Sequence, residues 1–345
     1  MPPRLAALLL LFATCASARA APWDIRAVVL TTYEAGADRG DAPGELQPWV
    51  EGEHLTETVP FPLGLHDIYT DRDHHLLVVL TGTTTGPAAA SVMALGTDPR
   101  FDLRHAYWLV DGISGFDPQA APLGSVVWAD WVVGDIMRGV DPREAPKDWP
   151  YGFFMEGASR PNQYRPPDPS SGVVHDLAWR IDPALLARAV GLTRTLPLAD
   201  TPALAAARHL WTAHPATQGP PIVLTGGDYA ADTFWHGRLD TQFARDWVRL
   251  VTRGQTRFVT SNMEDAGIME ALSRLSRGGR ADLHRVLVLR SNANFTEQHD
   301  GQGAVASLNA PDEADAEAIA NGYRVGAAVI HALLADTPPQ AGSAR

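Results

Sequence analysis

The chain has 345 residues, of which 45% are hydrophobic and 20% are charged, and its formal net charge at pH 7 is −12. This apolar fraction is sufficient for a packed core, and the length fits one large domain or two smaller ones. Because an acidic surface repels phosphate backbones, the charge argues against nucleic acid as a partner.

Residues 1–20 have the pattern of a secretory signal peptide. An arginine precedes an apolar run, and Ala18-Arg19-Ala20 fits a cleavage site. We therefore expect a periplasmic or secreted protein that begins near Ala21 after cleavage. The alternative is a lipoprotein anchor at Cys15, the only cysteine, but Phe12 and Thr14 fit the usual context of such anchors poorly.

The remainder of the chain shows no sign of a metal, a nucleotide cofactor or a membrane span. Without Cys15 it has no thiol, and His74-His75 has no carboxylate at metal-binding spacing. A Walker lysine and a full dinucleotide fingerprint are both missing from the sequence. We find no second apolar stretch of about 18 residues, so we predict that no helix of the mature chain spans a membrane.

Apolar strand patterns alternate with helical patterns along the chain, which predicts a mixed α/β fold with a twisted central sheet flanked by helices. The predicted strands are Arg26–Thr32, Leu76–Thr81, Tyr107–Gly112, Val126–Val133, Pro221–Leu224, Arg257–Thr260 and His284–Leu289. The predicted helices are Gly86–Leu95, Ala184–Thr193, Pro202–Thr212, Asp240–Thr252, Met263–Arg277 and Pro311–Leu334.

These elements are expected to form a single domain over residues 21–337. The proline-rich segment of residues 145–172 is predicted to be an ordered insertion or lid within that domain. Residues 338–345 are predicted to be a disordered tail.

The junction between the strand ending at Thr260 and the following helix carries Met263 and Glu264. Ligands bind outside the carboxyl ends of strands in open α/β sheets, so both side chains are expected at the mouth of a crevice. A carboxylate there can accept two hydroxyl hydrogen bonds, which suits the vicinal hydroxyls of a sugar.

Three motifs in this order resemble the purine nucleoside phosphorylase and nucleosidase superfamily. They are the Gly226-Gly227-Asp228 turn, the Met263-Glu264 pair, and the strand Val286–Leu289 with Asn294 beyond it. The chain is more closely similar to the purine nucleoside permease family in the runs Gly40–Glu45, Ala89–Gly96, Asp98–Leu103 and Asp232–Gly237, from about Ile25 to Leu334. The resemblance implies a nucleoside phosphorylase-like fold and a purine nucleoside as ligand, with no cofactor.

The resemblance also implies roles for individual residues. Asn294 would contact the base as a catalytic residue, and Glu34 after the first strand would orient a water, with Asp38 and Asp41 as alternatives. An amide can hydrogen-bond the departing base but cannot give it a proton. The remaining implied roles are ribose binding by Met263, Glu264 and His236, base binding by Asp228, Tyr229, Phe234 and Trp235, and an oxyanion or water loop formed by Thr81, Gly82, Thr83 and Gly112.

The phosphate ligands of superfamily phosphorylases are not found at the corresponding positions. Val110 and Ile113 stand where an arginine and a Ser or Thr are expected, and apolar side chains cannot neutralise a phosphate dianion. Ser114 lacks the Gly-x-Ser-x-Gly context of a nucleophile. Two hypotheses remain: hydrolytic cleavage of purine nucleosides, or nucleoside binding without chemistry on behalf of a separate inner-membrane carrier. A homo-oligomer is expected by analogy with the fold.

Overall fold

The computed structural model describes residues 21–135, 137–166 and 177–336. Its strands are β1 (Trp23–Asp24), β2 (Ala27–Thr31), β3 (Glu57–Val59), β4 (Ile68–Thr70), β5 (Leu76–Leu80), β6 (Phe101–Asp102), β7 (Tyr107–Phe116), β8 (Val126–Gly134), β9 (Met137–Gly139), β10 (Phe153–Met155), β11 (Ala178–Arg180), β12 (Val223–Ala230), β13 (Phe258–Asn262) and β14 (Val286–Phe295). Its helices are α1 (Leu46–Gly52), α2 (Thr85–Thr97), α3 (Pro183–Thr193), α4 (Pro202–Arg208), α5 (Arg238–Val251), α6 (Asp265–Arg277), α7 (Ala304–Leu308) and α8 (Asp315–Ala335).

Ten strands form one mixed sheet whose middle closes on itself. The strand order is β11-β8-β12-β13-β7-β2-β5-β4-β3, and β14 pairs both with β7 in parallel and with β8 in antiparallel. The strands β7, β13, β12, β8 and β14 therefore make a closed ring, from which β2 and β5 extend in parallel. Because β2, β5, β7 and β14 run in the same direction, their carboxyl ends meet at one edge.

The core lies between this sheet and its helices. Every residue of β2 and of β5 is buried, which explains why both strands are continuously apolar rather than alternating. The long helix α8 packs on β7 and β14 from one side, while α2 and α6 pack against each other. The helices thus shield both faces of the parallel strands from water.

The predicted mixed α/β fold is confirmed, and each predicted strand and helix corresponds to an element of the structure. Helices α1 and α7 and the short strands were not predicted, because elements of two to seven residues carry too little pattern. Three interpretations were wrong: Gly112 does not end its strand, since β7 continues to Phe116, and Asn294 lies inside β14 rather than beyond it. Asp228 likewise lies in strand β12 and not in a turn.

The segment predicted as an insertion is described up to residue 166. Strands β9 and β10 pair in antiparallel, and Tyr151 packs edge-on against Phe243 of α5 at a ring-centroid distance of 4.9 Å. The rest of the insertion, the predicted signal peptide of residues 1–20 and the predicted tail lie outside the described residues.

Helix α8 corrects the expectation that no further helix is long and apolar enough to cross a membrane. Among the described residues, this helix of 21 residues meets that criterion by length and composition, and 56% of its most apolar window is buried inside the protein. A core helix passes the same test as a spanning helix, and α8 packs on the central strands.

Candidate functional site

A cavity of about 280 Å³ opens where the carboxyl ends of β2, β7, β13 and β14 meet. Its volume is just below the range for ligand pockets, roughly 300–1,000 Å³. The lining residues are Thr32, Tyr33, Glu45, Thr83, Ile113, Ser114, Gly115, Phe234, Ser261, Asn262, Met263, Glu264, Ala293, Asn294, Asp312 and Asp315. Of the predicted site residues, the fold brings together Met263, Glu264, Phe234, Asn294 and Thr83.

Glu264 is held at the start of α6 by hydrogen bonds to the Asn262 side chain and to a backbone N–H of a neighbouring loop. The Asn262 side-chain oxygen accepts hydrogen bonds from the backbone N–H groups of Glu264 (3.0 Å) and of Asp265 (2.9 Å), the first residue of the helix. Glu264 Oε1 accepts the backbone N–H of Thr84 at 3.1 Å. The carboxylate is 5% exposed and faces the cavity, so it is fixed in place before any ligand arrives.

Arg290 lies directly behind Glu264 and is fully buried. Its guanidinium contacts Asp265 Oδ2 at 3.0 Å, Glu264 Oε2 at 3.3 Å and the backbone oxygen of Ile113 at 3.2 Å. Burial opposes its charge, but Asp265 and Glu264 outweigh burial and raise the pKa of Arg290. Burial also raises the pKa of Glu264, against the Arg290 charge. The cation therefore helps to keep a buried carboxylate available for ligand hydroxyls.

Glu45 is a second carboxylate in the cavity, and it was not predicted as a site residue. Its Oε2 accepts the N–H and the hydroxyl of Thr32 at 2.6 and 2.9 Å and the N–H of Tyr33 at 3.0 Å, while Oε1 accepts the N–H of Ile113 at 2.8 Å. Burial raises the pKa of Glu45 to about 7, although Arg290 and these hydrogen bonds oppose the shift. A carboxyl that titrates near neutral pH is suited to exchange protons with water.

Glu34, predicted to orient a water, lies outside the cavity lining and holds a loop instead. Its two oxygens accept the backbone N–H groups of Ala35 (2.9 Å), Gly44 and Gln47 (2.7 Å). The two alternatives also lie elsewhere: Asp38 pairs with His66 and Tyr69, and Asp41 accepts an N–H of its own loop. The loop that Glu34 organises is the one that delivers Glu45 to the cavity.

Asn294 reaches the cavity through an irregularity in β14. The register against β7 shifts between Asn292 and Asn294, and such bulges re-aim side chains. The Asn294 amide nitrogen donates to Asp312 Oδ1. The amide oxygen lies above Gly115, where an added Cβ would be only 2.8 Å away. Gly115 therefore leaves room for this amide at the cavity floor.

Among the residues predicted to bind the base, Phe234 lines the cavity together with Asn294, whereas Tyr229, Trp235 and Asp228 do not. Phe234 lines the cavity and is 58% exposed, so its face is free to stack on a planar ligand. Tyr229 and Trp235 instead pack together in the core near Phe258, with ring centroids 6.1–6.2 Å apart. Their rings fill the space between α5 and the sheet.

Asp228 is fully buried and does not line the cavity. Burial, followed by the charge of Asp265, raises the pKa of Asp228 well above its ordinary value. Its Oδ1 accepts a hydrogen bond from Asn262 Nδ2. It therefore acts on the site indirectly, through Asn262 and through Asp265, the partner of Arg290.

The predicted oxyanion loop is occupied by the protein's own groups. The backbone N–H of Thr84 bonds to Glu264, and that of Thr85 bonds to Asp232 at 2.8 Å. Thr81 is buried and its hydroxyl donates to the Thr31 backbone oxygen at 3.1 Å. Gly82, with a φ of +90°, packs against a leucine side chain, and only Thr83 reaches the cavity. Gly112, the fourth member, lies against Arg290 and Glu45.

His236 lines a second cavity of about 300 Å³, which shares Phe234, Asn294 and Asp312 with the first. Its Nε2 is buried without a hydrogen-bond partner among the described residues, and burial lowers the pKa of the imidazole. The structure thus places His236 on the far side of Asn294 from Glu264.

The charge of the first cavity is strongly one-sided. Four carboxylates line it, from Glu45, Glu264, Asp312 and Asp315, and no lysine or arginine is among the described lining residues. At the positions considered for phosphate, Ile113 lines the cavity and Val110 is fully buried. The Ser114 hydroxyl is paired with Thr260 Oγ1 at 2.6 Å. A phosphate dianion would find no counter-charge in this lining.

Glu45, Arg290, Asp312 and Asp315 are the site residues that sequence reasoning missed. Glu45 closes the Gly40–Glu45 motif, so a carboxylate next to the start of a helix was a usable signal. The other three gave none, because Arg290 sits within an apolar strand and the two aspartates lie in an acidic stretch typical of solvent-exposed loops.

Comparison with known proteins supports the resemblance seen in the motifs. A model of the purine nucleoside permease family matches residues 24–338. A probable purine nucleoside permease of Schizosaccharomyces pombe is 28% identical over 272 residues, covering 76% of this chain and 77% of that protein. A purine nucleoside permease of Candida albicans is 25% identical over 300 residues, covering 84% and 72%.

Solved structures of nucleosidases share the fold. A variant 5'-methylthioadenosine/S-adenosylhomocysteine nucleosidase of Helicobacter pylori superposes with a TM-score of 0.55 at 13% identity, covering 89% of this chain and 99% of that one. Futalosine hydrolase of the same organism superposes with a TM-score of 0.54 at 13% identity, covering 89% of this chain and 98% of that one. The expected nucleoside phosphorylase-like fold is thereby confirmed.

Proposed function

Because the chain belongs to the purine nucleoside permease family, we propose that its cavity binds a purine nucleoside and cleaves the N-glycosidic bond with water. The observation that carries this proposal is the pair of buried carboxylates, Glu264 and Glu45, in one cavity beside Phe234 and Asn294. Glu264 accepts the ribose hydroxyls, Met263 covers the sugar, and Phe234 stacks on the base.

Glu45 takes the role first considered for Glu34. Its Oε1 accepts one hydrogen bond from the described residues and retains a lone pair for a water. The glycosidic bond breaks with its electron pair passing to the base, the water oxygen adds to the anomeric carbon, and Glu45 takes one water proton. Asn294 hydrogen-bonds the departing base, whose proton comes from solvent because an amide cannot supply one.

Water, rather than phosphate, is the co-substrate that this lining favours. Four carboxylates and an apolar Ile113 leave an incoming phosphate without a counter-charge in a low-dielectric site. The test is to incubate the purified protein with inosine, adenosine and guanosine, with and without phosphate, and to measure free base and ribose. We expect equal rates in both buffers and free ribose as product. Phosphate-dependent release of ribose 1-phosphate would contradict hydrolysis.

A second candidate function is nucleoside binding without cleavage, in support of uptake by a separate inner-membrane carrier. Two observations favour it: the relatives are named permeases, and the residue at the base is Asn294, which cannot act as an acid. Calorimetry that shows binding while no base is released over many hours would select this function over hydrolysis.

Both functions fit export of the protein after signal cleavage near Ala20. The basis is the Ala18-Arg19-Ala20 pattern behind an apolar run. N-terminal sequencing of protein from the producing cells tests this, and we expect a chain that starts near Ala21. An uncleaved chain in the cytoplasmic fraction would contradict it.

A further inference from the structure

We propose that Asp312 is a positioning residue that sets the orientation of the Asn294 amide toward the ligand. The inference rests on the proposed function and adds a residue to it. Asp312 comes from the loop before α8, whereas Asn294 belongs to β14, so only the fold brings the two side chains together. Both line the first cavity and the second cavity beside it.

The chemistry of the two groups fixes which end of the amide faces which way. An ionised carboxylate only accepts hydrogen bonds, so the Asn294 group that contacts Asp312 must be the NH₂. The amide oxygen is then directed to the Gly115 side, inside the cavity. Without the carboxylate, the amide could turn by 180° and exchange its donor and acceptor ends.

The orientation has a direct consequence for the ligand. With its oxygen in the cavity, Asn294 accepts a hydrogen bond from an N–H of the purine, such as the ring nitrogen that takes up a solvent proton as the base departs. That hydrogen bond is strongest after the proton has arrived, so it stabilises the departing base more than the bound nucleoside. Asp312 therefore acts through Asn294 on the rate of cleavage rather than on binding.

The test is a double-mutant cycle on base release from inosine, with Asp312→Asn, Asn294→Ala and the double variant. In Asp312→Asn the new amide can present its NH₂ as well as its oxygen to Asn294, so it no longer fixes which end of the Asn294 amide faces the cavity. We expect this variant to lower kcat about 10- to 100-fold with less than about threefold change in binding, which is the effect of one misdirected hydrogen bond. In the Asn294→Ala background the same substitution should have almost no effect. The matched control is Glu313→Gln, a neighbouring carboxyl that lines only the second cavity.

A second readout does not depend on activity. The side-chain amide NMR signals of Asn294 can be assigned by their loss in Asn294→Ala. Their chemical shifts should change in Asp312→Asn and remain unchanged in Glu313→Gln. If the protein binds nucleosides without cleaving them, the cycle has no rate to compare, and the shift of the Asn294 resonances carries the test.

Two results would overturn the inference: an Asp312→Asn effect that persists undiminished in the Asn294→Ala background, or Asn294 resonances that do not move in Asp312→Asn. A parent protein that neither binds nor cleaves nucleosides would refute the proposed function instead. In that case the resonance test alone decides whether Asp312 orients Asn294.

Discussion

Glu264 has three simultaneous tasks in this protein: it faces the cavity, it accepts the backbone N–H of Thr84, and it pairs with the buried Arg290. A carboxylate in this position would be costly to bury without those partners. The arrangement explains why a residue meant for ligand hydroxyls can be almost fully shielded from water before the ligand binds.

Replacing Glu264 with Gln tests its role in sugar binding. The amide still accepts from Thr84 but loses the charge, leaving ribose hydroxyls less well paired in a desolvated pocket. We expect a loss of about 2–4 kcal/mol, or roughly 30- to 1,000-fold, in ribonucleoside affinity or in kcat/KM. Calorimetry and base-release assays measure it, with thermal unfolding to show that the fold survives. If the variant binds and cleaves nucleosides like the parent, Glu264 does not bind the sugar.

Glu45 and Glu34 form a matched pair for testing which carboxylate works with water. We expect Glu45→Gln to reduce cleavage about 10²- to 10⁴-fold, the usual contribution of a general base, and Glu34→Gln to affect mainly stability. Because the pKa of Glu45 is raised to about 7 and the ionised form accepts the proton, the parent rate should increase through about pH 7 and level off above it. Equal losses in the two variants would contradict this assignment.

At the scale of elements, the site depends on a close contact between the first turns of α2 and α6. A Cβ on Gly267 would be 2.2 Å from the backbone oxygen of Thr85, so only glycine allows this approach. The contact brings Thr84, held at a φ of +73°, to the Glu264 carboxylate. The two helices are thus held together next to Thr83 and Glu264, which line the cavity.

Gly267→Ala should therefore separate α2 from α6. We expect a destabilisation of about 1–3 kcal/mol, typical of overpacking, together with weaker nucleoside binding because Glu264 loses its backbone donor. The control is Gly86→Ala in α2, where nothing lies within 4 Å of the new Cβ. Chemical denaturation and calorimetry measure both effects. If Gly267→Ala were no more destabilising than Gly86→Ala, the contact would not constrain the site.

At the scale of the whole molecule, the interior holds more carboxyl groups than Arg290 can neutralise. Burial raises the pKa of Glu45 and of Asp111 to about 7, and burial with the charge of Asp265 raises the pKa of Asp228. A carboxyl whose pKa is higher in the folded state binds its proton more tightly there. Its contribution to stability is complete below the unfolded pKa and is lost as pH rises through the folded value.

Stability should consequently fall as pH is raised from about 5 to about 8. Thermal unfolding at a series of pH values measures it, and Asp111→Asn, which keeps an acceptor for the Trp49 indole N–H, should flatten the decline. Asp141→Asn is the control, because Asp141 is paired with Arg143 at the surface and its pKa is lowered. A thermal unfolding midpoint that rises between pH 6 and pH 8 would contradict the prediction.

The acidic cavity also predicts selectivity between nucleosides and nucleotides. A 5'-phosphate would add a dianion beside Glu45, Asp312 or Asp315, whereas a neutral nucleoside adds no charge. We expect inosine 5'-monophosphate to bind at least about tenfold more weakly than inosine, with the difference shrinking as salt screens the repulsion. Competition calorimetry at two ionic strengths measures it, and equal affinities would exclude electrostatic selection.

The sequence by itself determined the features that depend on local pattern or on a short motif. Apolar runs such as Leu76–Thr81 identified strands of the sheet, and the Met263-Glu264 junction identified the mouth of the cavity. These two predictions are correct because a strand pattern and the start of a helix depend on residues only a few positions apart.

Only the tertiary structure decided which polar residues share the cavity. Glu34 and Glu45 are both acids near the first strand, yet backbone N–H groups of the loop bind Glu34 while Glu45 is turned inward. Asp312 meets Asn294 across 18 residues of chain, and Arg290 reaches Glu264 from inside an apolar strand. Such pairings depend on strand closure, register and bulges, which set side-chain directions over distances that no local pattern records.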